Sequence, residues 1–191
     1  MKTGIIVVGA SLGGLKALLS VLGGLPPDFA APILVVQHRG PGPDGSLVGL
    51  LQDRTRLAVV EAEDKSAIAA GTVYIAPADY HLLVEAPGAL ALSTDAPVRS
   101  ARPSIDVLFE TAAEAYRSAL LGVLLTGASA DGAAGLARVK ALGGRAMVQD
   151  PATAECATMP LAAMAATTVD YVVPLESIGA YLVSLVQGSR A

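Results

Sequence analysis

The stretch Ile5-Ile6-Val7-Val8-Gly9-Ala10-Ser11-Leu12-Gly13-Gly14 decides the fold. Ile5 to Val8 is a short run of β-branched residues closed by glycine, which reads as a strand buried on both faces. Gly9 to Gly14 forms a tight turn. Leu15, Leu18, Leu19 and Leu22 then recur at i, i+3, i+4 and i+7 and predict a helix. Gly23-Gly24 and Pro26-Pro27 end it.

The same alternation continues outward from this unit. Strands are expected at Ile33 to Val36, Leu57 to Val60, Thr72 to Ile75, Leu120 to Leu125, Ala146 to Val148 and Tyr171 to Val173. Helices are expected from Arg102-Pro103-Ser104 through Tyr116, from Ala133, around Pro160 to Ala166, and from about Ser177. His81 to Glu85 and Ala89 to Leu92 flank Ala86-Pro87-Gly88 as an antiparallel hairpin, and Arg39 to Gly45 reads as an irregular loop and a candidate site wall. The pattern predicts an α/β domain with a mainly parallel sheet, occupying residues 1–191 as one domain.

Composition bounds the function. The 191 residues carry 13 Lys and Arg against 17 Asp and Glu, a net charge of −4 with no basic run. That excludes nucleic acid and anionic membrane surfaces as main partners. Mean hydropathy is +0.57, yet no apolar stretch approaches the ~18 residues of a membrane span. Met1-Lys2-Thr3-Gly4 leads straight into the first strand, so no signal peptide is expected. A single cysteine rules out an internal disulfide framework and points to the cytoplasm.

In parallel sheets ligands bind outside the carboxyl ends of the strands. The residues that follow three strands there are Ser11, His38 and Asp131. They would supply a nucleophile, a general base and a group that orients the base. Only two histidines exist, and His38 is preferred because it follows a strand into a Gly/Pro loop, whereas His81 opens a hairpin strand. Asp131 also fits an ordinary N-cap of the helix that follows. Asp106, Asp79 and Asp150 are the alternative orienting acids. Ser11 stands at a helix N-terminus, where backbone N–H groups can stabilise an oxyanion.

Rival readings of the glycine turn are weaker. Gly9-x-x-x-Gly13-Gly14 lacks the dinucleotide fingerprint, and Gln37-His38 stands where an acid for the ribose is expected. Gly9-Ala10-Ser11-Leu12-Gly13 matches the hydrolase elbow, but in that fold several strands precede the serine. Cys156 reads as a small buried apolar residue. One cysteine and two distant histidines give no zinc spacing, so no metal is expected.

The chain resembles the catalytic domain of the CheB-type protein-glutamate methylesterases of bacterial chemotaxis. The resemblance rests on Ile6 to Gly14, Val36-Gln37-His38, Tyr74-Ile75-Ala76-Pro77 before His81-Leu82, Arg102-Pro103-Ser104-Ile105-Asp106-Val107-Leu108-Phe109, Leu125-Thr126-Gly127 with Asp131-Gly132, and Glu155-Cys156 ahead of Met159-Pro160. These segments occur in the family's order over essentially the whole chain. The resemblance implies a doubly wound α/β fold and a triad of Ser11, His38 and Asp131. It further implies an oxyanion and substrate site at Leu12, Gly13 and Ala128, a lining to which His81, Arg102 and Met159 are candidates, and no cofactor. The implied substrates are γ-glutamyl methyl esters on the cytoplasmic helices of methyl-accepting receptors, with glutamine deamidation as a companion activity.

Three departures from the family pattern qualify this expectation. Leu12 replaces the usual threonine after the serine, and losing one oxyanion donor costs roughly 3 kcal/mol of transition-state stabilisation. Ala128-Ser129 replace Met-Gly. The chain starts at the first catalytic strand, so the family's receiver domain is not expected within it, and a separate receiver or regulatory protein is the implied partner. The rival function is a catalytically weak or inactive CheB-like interaction module in a signalling pathway, and a nucleotide-binding oxidoreductase comes third.

Overall fold

The computed structural model describes residues 3–39, 45–85 and 88–188. In chain order the elements are β1 (Ile5–Ala10), α1 (Gly14–Gly23), β2 (Ile33–Gln37), α2 (Gly45–Gln52), β3 (Ala58–Glu61), β4 (Thr72–Ile75), β5 (His81–Glu85), β6 (Ala89–Ser93) and α3 (Ile105–Tyr116). They continue as β7 (Leu120–Leu124), α4 (Ala133–Ala141), β8 (Arg145–Gln149), α5 (Thr158–Ala166), β9 (Tyr171–Val173) and α6 (Leu175–Gln187).

Seven strands form one parallel sheet in the order β3-β4-β2-β1-β7-β8-β9, and β5 and β6 pair antiparallel as a separate hairpin. The expected fold class is the observed one. Side chains alternate across β1 because successive Cβ atoms leave a strand on opposite faces. Ile6, Val8 and Ala10 join Leu18 and Leu22 of α1 and Ile178 and Leu182 of α6 in one core. Ile5 and Val7 join Leu108 and Phe109 of α3 and Leu136 of α4 in the other. A strand covered on both faces must be apolar throughout, and all six residues of β1 are buried.

The structure adds a helix that the sequence reading lacked. α2 follows directly on the expected irregular loop, with Leu47 and Leu51 packed into the α1–α6 core. Residues 40–44 of that loop, and 86–87 of the hairpin turn, lie outside the described residues. Among the described residues no helix is long and apolar enough to cross a membrane.

This topology positions the site. From β1 the sheet extends through β2, β4 and β3 on one side, the chain visiting the edge strand β3 before β4, and through β7, β8 and β9 on the other. The winding reverses between β1 and β7, and the crevice at such a reversal is where sheets of this kind take ligands.

Candidate active site

Ser11 directly follows β1 and His38 directly follows β2. The sheet's bonding runs on past both strands, since Ser11 N–H donates to Thr126 O at 3.0 Å and His38 N–H to Ala10 O at 2.9 Å. Gln37, the last residue of β2, ties the two together. Its Nε2 donates to Ser11 O at 2.8 Å and to His38 O at 2.9 Å. Its Oε1 is buried and among the described residues has no hydrogen-bond partner, against Gly14, where a Cβ would stand 2.0 Å from it.

His38 Nε2 lies 2.7 Å from Asp131 Oδ2. Asp131 is 0% exposed, and its carboxylate takes four donors. Oδ1 accepts from Ser104 Oγ at 2.8 Å and Asp106 N–H at 3.0 Å, while Oδ2 accepts from Ile105 N–H at 2.7 Å and from His38. Three of these donors belong to the start of α3, whose first N–H groups have no intrahelical acceptor. Burial pushes the Asp131 carboxyl upward, but the bonds from His38, Ile105, Asp106 and Ser104 outweigh it and hold the group below its ordinary value. An ionised carboxylate only accepts, so His38 Nε2 carries the proton and Nδ1 keeps a lone pair in the neutral ring. The N-cap role that Asp131's place in the chain suggested is not observed. Gly132 occupies that N-cap, at φ 93°, and Asp131 serves α3 instead.

Ser11 and His38 share a cleft of about 820 Å³ with Leu12, Gly13, Lys16 and Glu155. Among the described residues the Ser11 hydroxyl makes no hydrogen bond. A second cleft, about 460 Å³, lies on another side of His38 and is lined by Arg39, Asp79 and Arg102. Arg102 is fixed there by Asp79 Oδ1, to which its Nε and Nη2 donate at 3.0 and 2.7 Å.

The backbone around Ser11 is tightly packed. Gly13 adopts φ 77°, the left-handed region that favours glycine, and a Cβ there would stand 2.7 Å from Glu155 Cβ. Gly127 has no room for a side chain either, because a Cβ would meet Met159 Sδ at 1.9 Å and Ser11 Cβ at 2.7 Å. Thr126 locks this region. Its Oγ1 donates to Leu12 O at 2.9 Å and accepts from Cys156 N–H at 2.9 Å, while Gly127 N–H donates to Cys156 O at 3.0 Å. Among the described residues no backbone hydrogen bond uses the N–H of Leu12, Gly13 or Ala128. Leu12 is 54% exposed and lines the larger cleft.

Several expected residues lie elsewhere. His81 is 1% exposed and Met159 is fully buried, and neither lines the two clefts. His81 Nδ1 accepts from Ser104 N–H at 3.2 Å, and its Nε2 lies 3.2 Å from Ala96 O. Asp79 pairs with Arg102, and Asp150 accepts from Ala152 N–H. Asp106 faces Arg99 and the start of α4 rather than His38. Cys156 is partly exposed, not buried, because its backbone is drawn to Thr126 and Gly127 beside the cleft. Among the described residues no group of three or more His, Cys, Asp or Glu side chains could hold a metal ion.

Gln37, Ser104, Thr126 and Glu155 stand in motifs quoted from the sequence but were given no role in the site. A glutamine ending an apolar strand, next to the candidate base, was the signal available for Gln37. Ser104 reads as a helix N-cap, yet its hydroxyl makes no cap bond and turns to Asp131.

The chain matches the family model described as CheB methylesterase over residues 6–182. A Leptospira interrogans protein, named provisionally as a protein-glutamate methylesterase/protein-glutamine glutaminase, is 48% identical over 184 residues, covering 96% of this chain and 95% of the relative. The Anaeromyxobacter dehalogenans protein-glutamate methylesterase/protein-glutamine glutaminase 2 is 46% identical over 174 residues, 91% of this chain and 51% of its own length. The crystal structure of the Thermotoga maritima CheB methylesterase catalytic domain superposes with a TM-score of 0.92 at 37% identity, covering 97% of this chain and all of that one.

Proposed function

The chain belongs to the CheB methylesterase family, and on that premise we propose that it hydrolyses γ-glutamyl methyl esters of chemoreceptor-type signalling proteins through Ser11, His38 and Asp131. The observation that carries this reading is the His38–Asp131 hydrogen bond of 2.7 Å at the wall of the cleft that holds Ser11. Ser11 Oγ attacks the ester carbonyl carbon as His38 Nδ1 takes its proton. Asp131 holds the imidazole through Nε2 and stabilises its charged form. The N–H groups of Leu12, Gly13 and Ala128 receive the oxyanion.

Collapse of the tetrahedral species breaks the C–OCH3 bond, and His38 returns the proton to the departing oxygen as methanol leaves. The glutamyl ester on Ser11 is then attacked by a water whose proton passes to His38. Breaking the Ser11 ester returns that proton to Oγ and releases the glutamyl carboxylic acid, which loses the water's remaining proton to solvent and leaves as the carboxylate. Glutamine side chains follow the same course with ammonia as the leaving group, in keeping with the glutaminase names of the relatives. The partners of this reading are methylated receptor helices, with a separate receiver or regulatory protein controlling access to the cleft.

Fluorophosphonate labelling followed by peptide mass analysis tests the nucleophile. Label is expected on Ser11, absent in Ser11→Ala and strongly slowed in His38→Ala. Label on another serine, or equal labelling of the His38 variant, contradicts the proposal.

A further inference from the structure

Asp131 and Asp106 exchange helix caps. Asp131, just before α4, accepts from the N–H groups of Ile105 and Asp106 at the start of α3. Asp106, in the first turn of α3, accepts at Oδ1 from Gly132 N–H at 2.8 Å and Gly135 N–H at 2.7 Å, at the start of α4. Each carboxylate thus satisfies N–H groups that the other helix leaves without an acceptor. Neither N-cap residue, Ser104 or Gly132, bonds its own helix through a side chain. The helices meet closely at this point. A Cβ on Gly135 would stand 2.7 Å from Phe109 Cβ and 3.0 Å from Asp106 Cα.

We infer that Asp106 is a positioning residue of the reaction, which holds the backbone on the carboxyl side of Asp131 so that the Asp131 carboxylate meets His38. The inference rests on the triad reading above. Asp106 touches neither His38 nor the cleft that holds Ser11. Both amides it binds lie within four residues of Asp131, and Arg99 Nε closes its other oxygen at 3.2 Å. With Asp106 4% exposed and Asp131 0% exposed, two carboxylates are kept close together out of water, an arrangement that stability alone does not favour. What it supplies is precision. A displacement of about 1 Å at such a group costs on the order of 10²-fold in rate.

Two substitutions and two readouts test this. Asp106→Asn keeps an oxygen able to accept both amides, and Asp106→Ala removes it. In Asp106→Ala, kcat for methanol release from methylated receptor fragments is expected to fall at least tenfold with KM within twofold. The downfield proton resonance of His38 Nε2–H is expected to vanish with it. Asp106→Asn keeps the resonance and a kcat within threefold of wild type. A purely stabilising role would lower the melting temperature of Asp106→Ala and move neither readout while the protein stays folded. Wild-type kcat and resonance in Asp106→Ala, or equal impairment of the asparagine variant, overturns the inference. Should Asp106→Ala not fold, Asp106→Ser, too short to reach both amides, takes its place with the same expectation. Full activity in Ser11→Ala would defeat the triad reading instead, and the His38 resonance would still decide the role of Asp106.

Discussion

The imidazole of His38 meets Asp131 through Nε2, 2.7 Å from Oδ2. On the proposed triad, the nitrogen left for the proton of Ser11 is Nδ1. Asp131→Asn exchanges one acceptor oxygen for a group that only donates, among four donors, and favours the tautomer with the proton on Nδ1. We expect kcat to fall by about 10⁴-fold with the fold intact, as loss of the correct tautomer does in this chemistry. Steady-state methanol release checks this, and a loss smaller than tenfold would contradict the assignment.

Gln37 clamps the backbone carbonyls of Ser11 and His38 with one nitrogen. Gln37→Leu removes both bonds, each worth about 0.5–1.5 kcal/mol of stability. Urea unfolding is expected to show a loss of about 1–3 kcal/mol, and kcat to drop at least tenfold as the two side chains lose their fixed spacing. Unchanged kcat in a destabilised variant would show that the clamp serves the fold alone.

The two buried carboxylates carry opposite pH signatures. Asp131 is held below its ordinary value of 3.8, so the stability it contributes is present above pH 3.8 and is lost as pH falls through its lower folded value. Asp106 is raised, first by burial and further by the Asp131 charge, against the pull of the Gly135 and Gly132 amides. The folded state then favours the neutral acid more than the unfolded chain does, and ionisation lowers stability as pH rises from 3.8 through the raised value. Relative to wild type, Asp106→Asn is expected to gain melting temperature between pH 4 and pH 7. A difference that stays constant or shrinks over that window contradicts this sign.

Leu12 stands 54% exposed at the cleft, beside the amides assigned to the oxyanion. Leu12→Thr adds a hydroxyl donor there, and one such donor is worth up to roughly 3 kcal/mol in the transition state. A kcat increase of more than twofold is expected. An increase of twofold or less would mean that backbone amides alone suffice.

The fold was legible because β1 and the helix after it obey single, strong periodicities, and the strand ends then pointed to the sheet edge where Ser11 and His38 share a cleft. α2 was not legible, since Gly45, Ser46 and Gly49 dilute its period over only eight residues. Asp131, read as the group that orients the base, was also read by a local rule as the cap of its own helix. The close approach of α3 and α4 overrode that rule, and its only trace in the sequence is Gly135, a glycine within a helical pattern. Gln37 and Ser104 escaped because the partners Ser11 and Asp131 lie 26 and 27 residues away along the chain.

Methanol release from methylated receptor cytoplasmic fragments, compared between wild type and Ser11→Ala, tests the central claim most directly. The account predicts release by the wild type that disappears in the variant while its melting temperature holds. Equal release by both proteins, or none by a folded wild type that fluorophosphonate also fails to label, would contradict it.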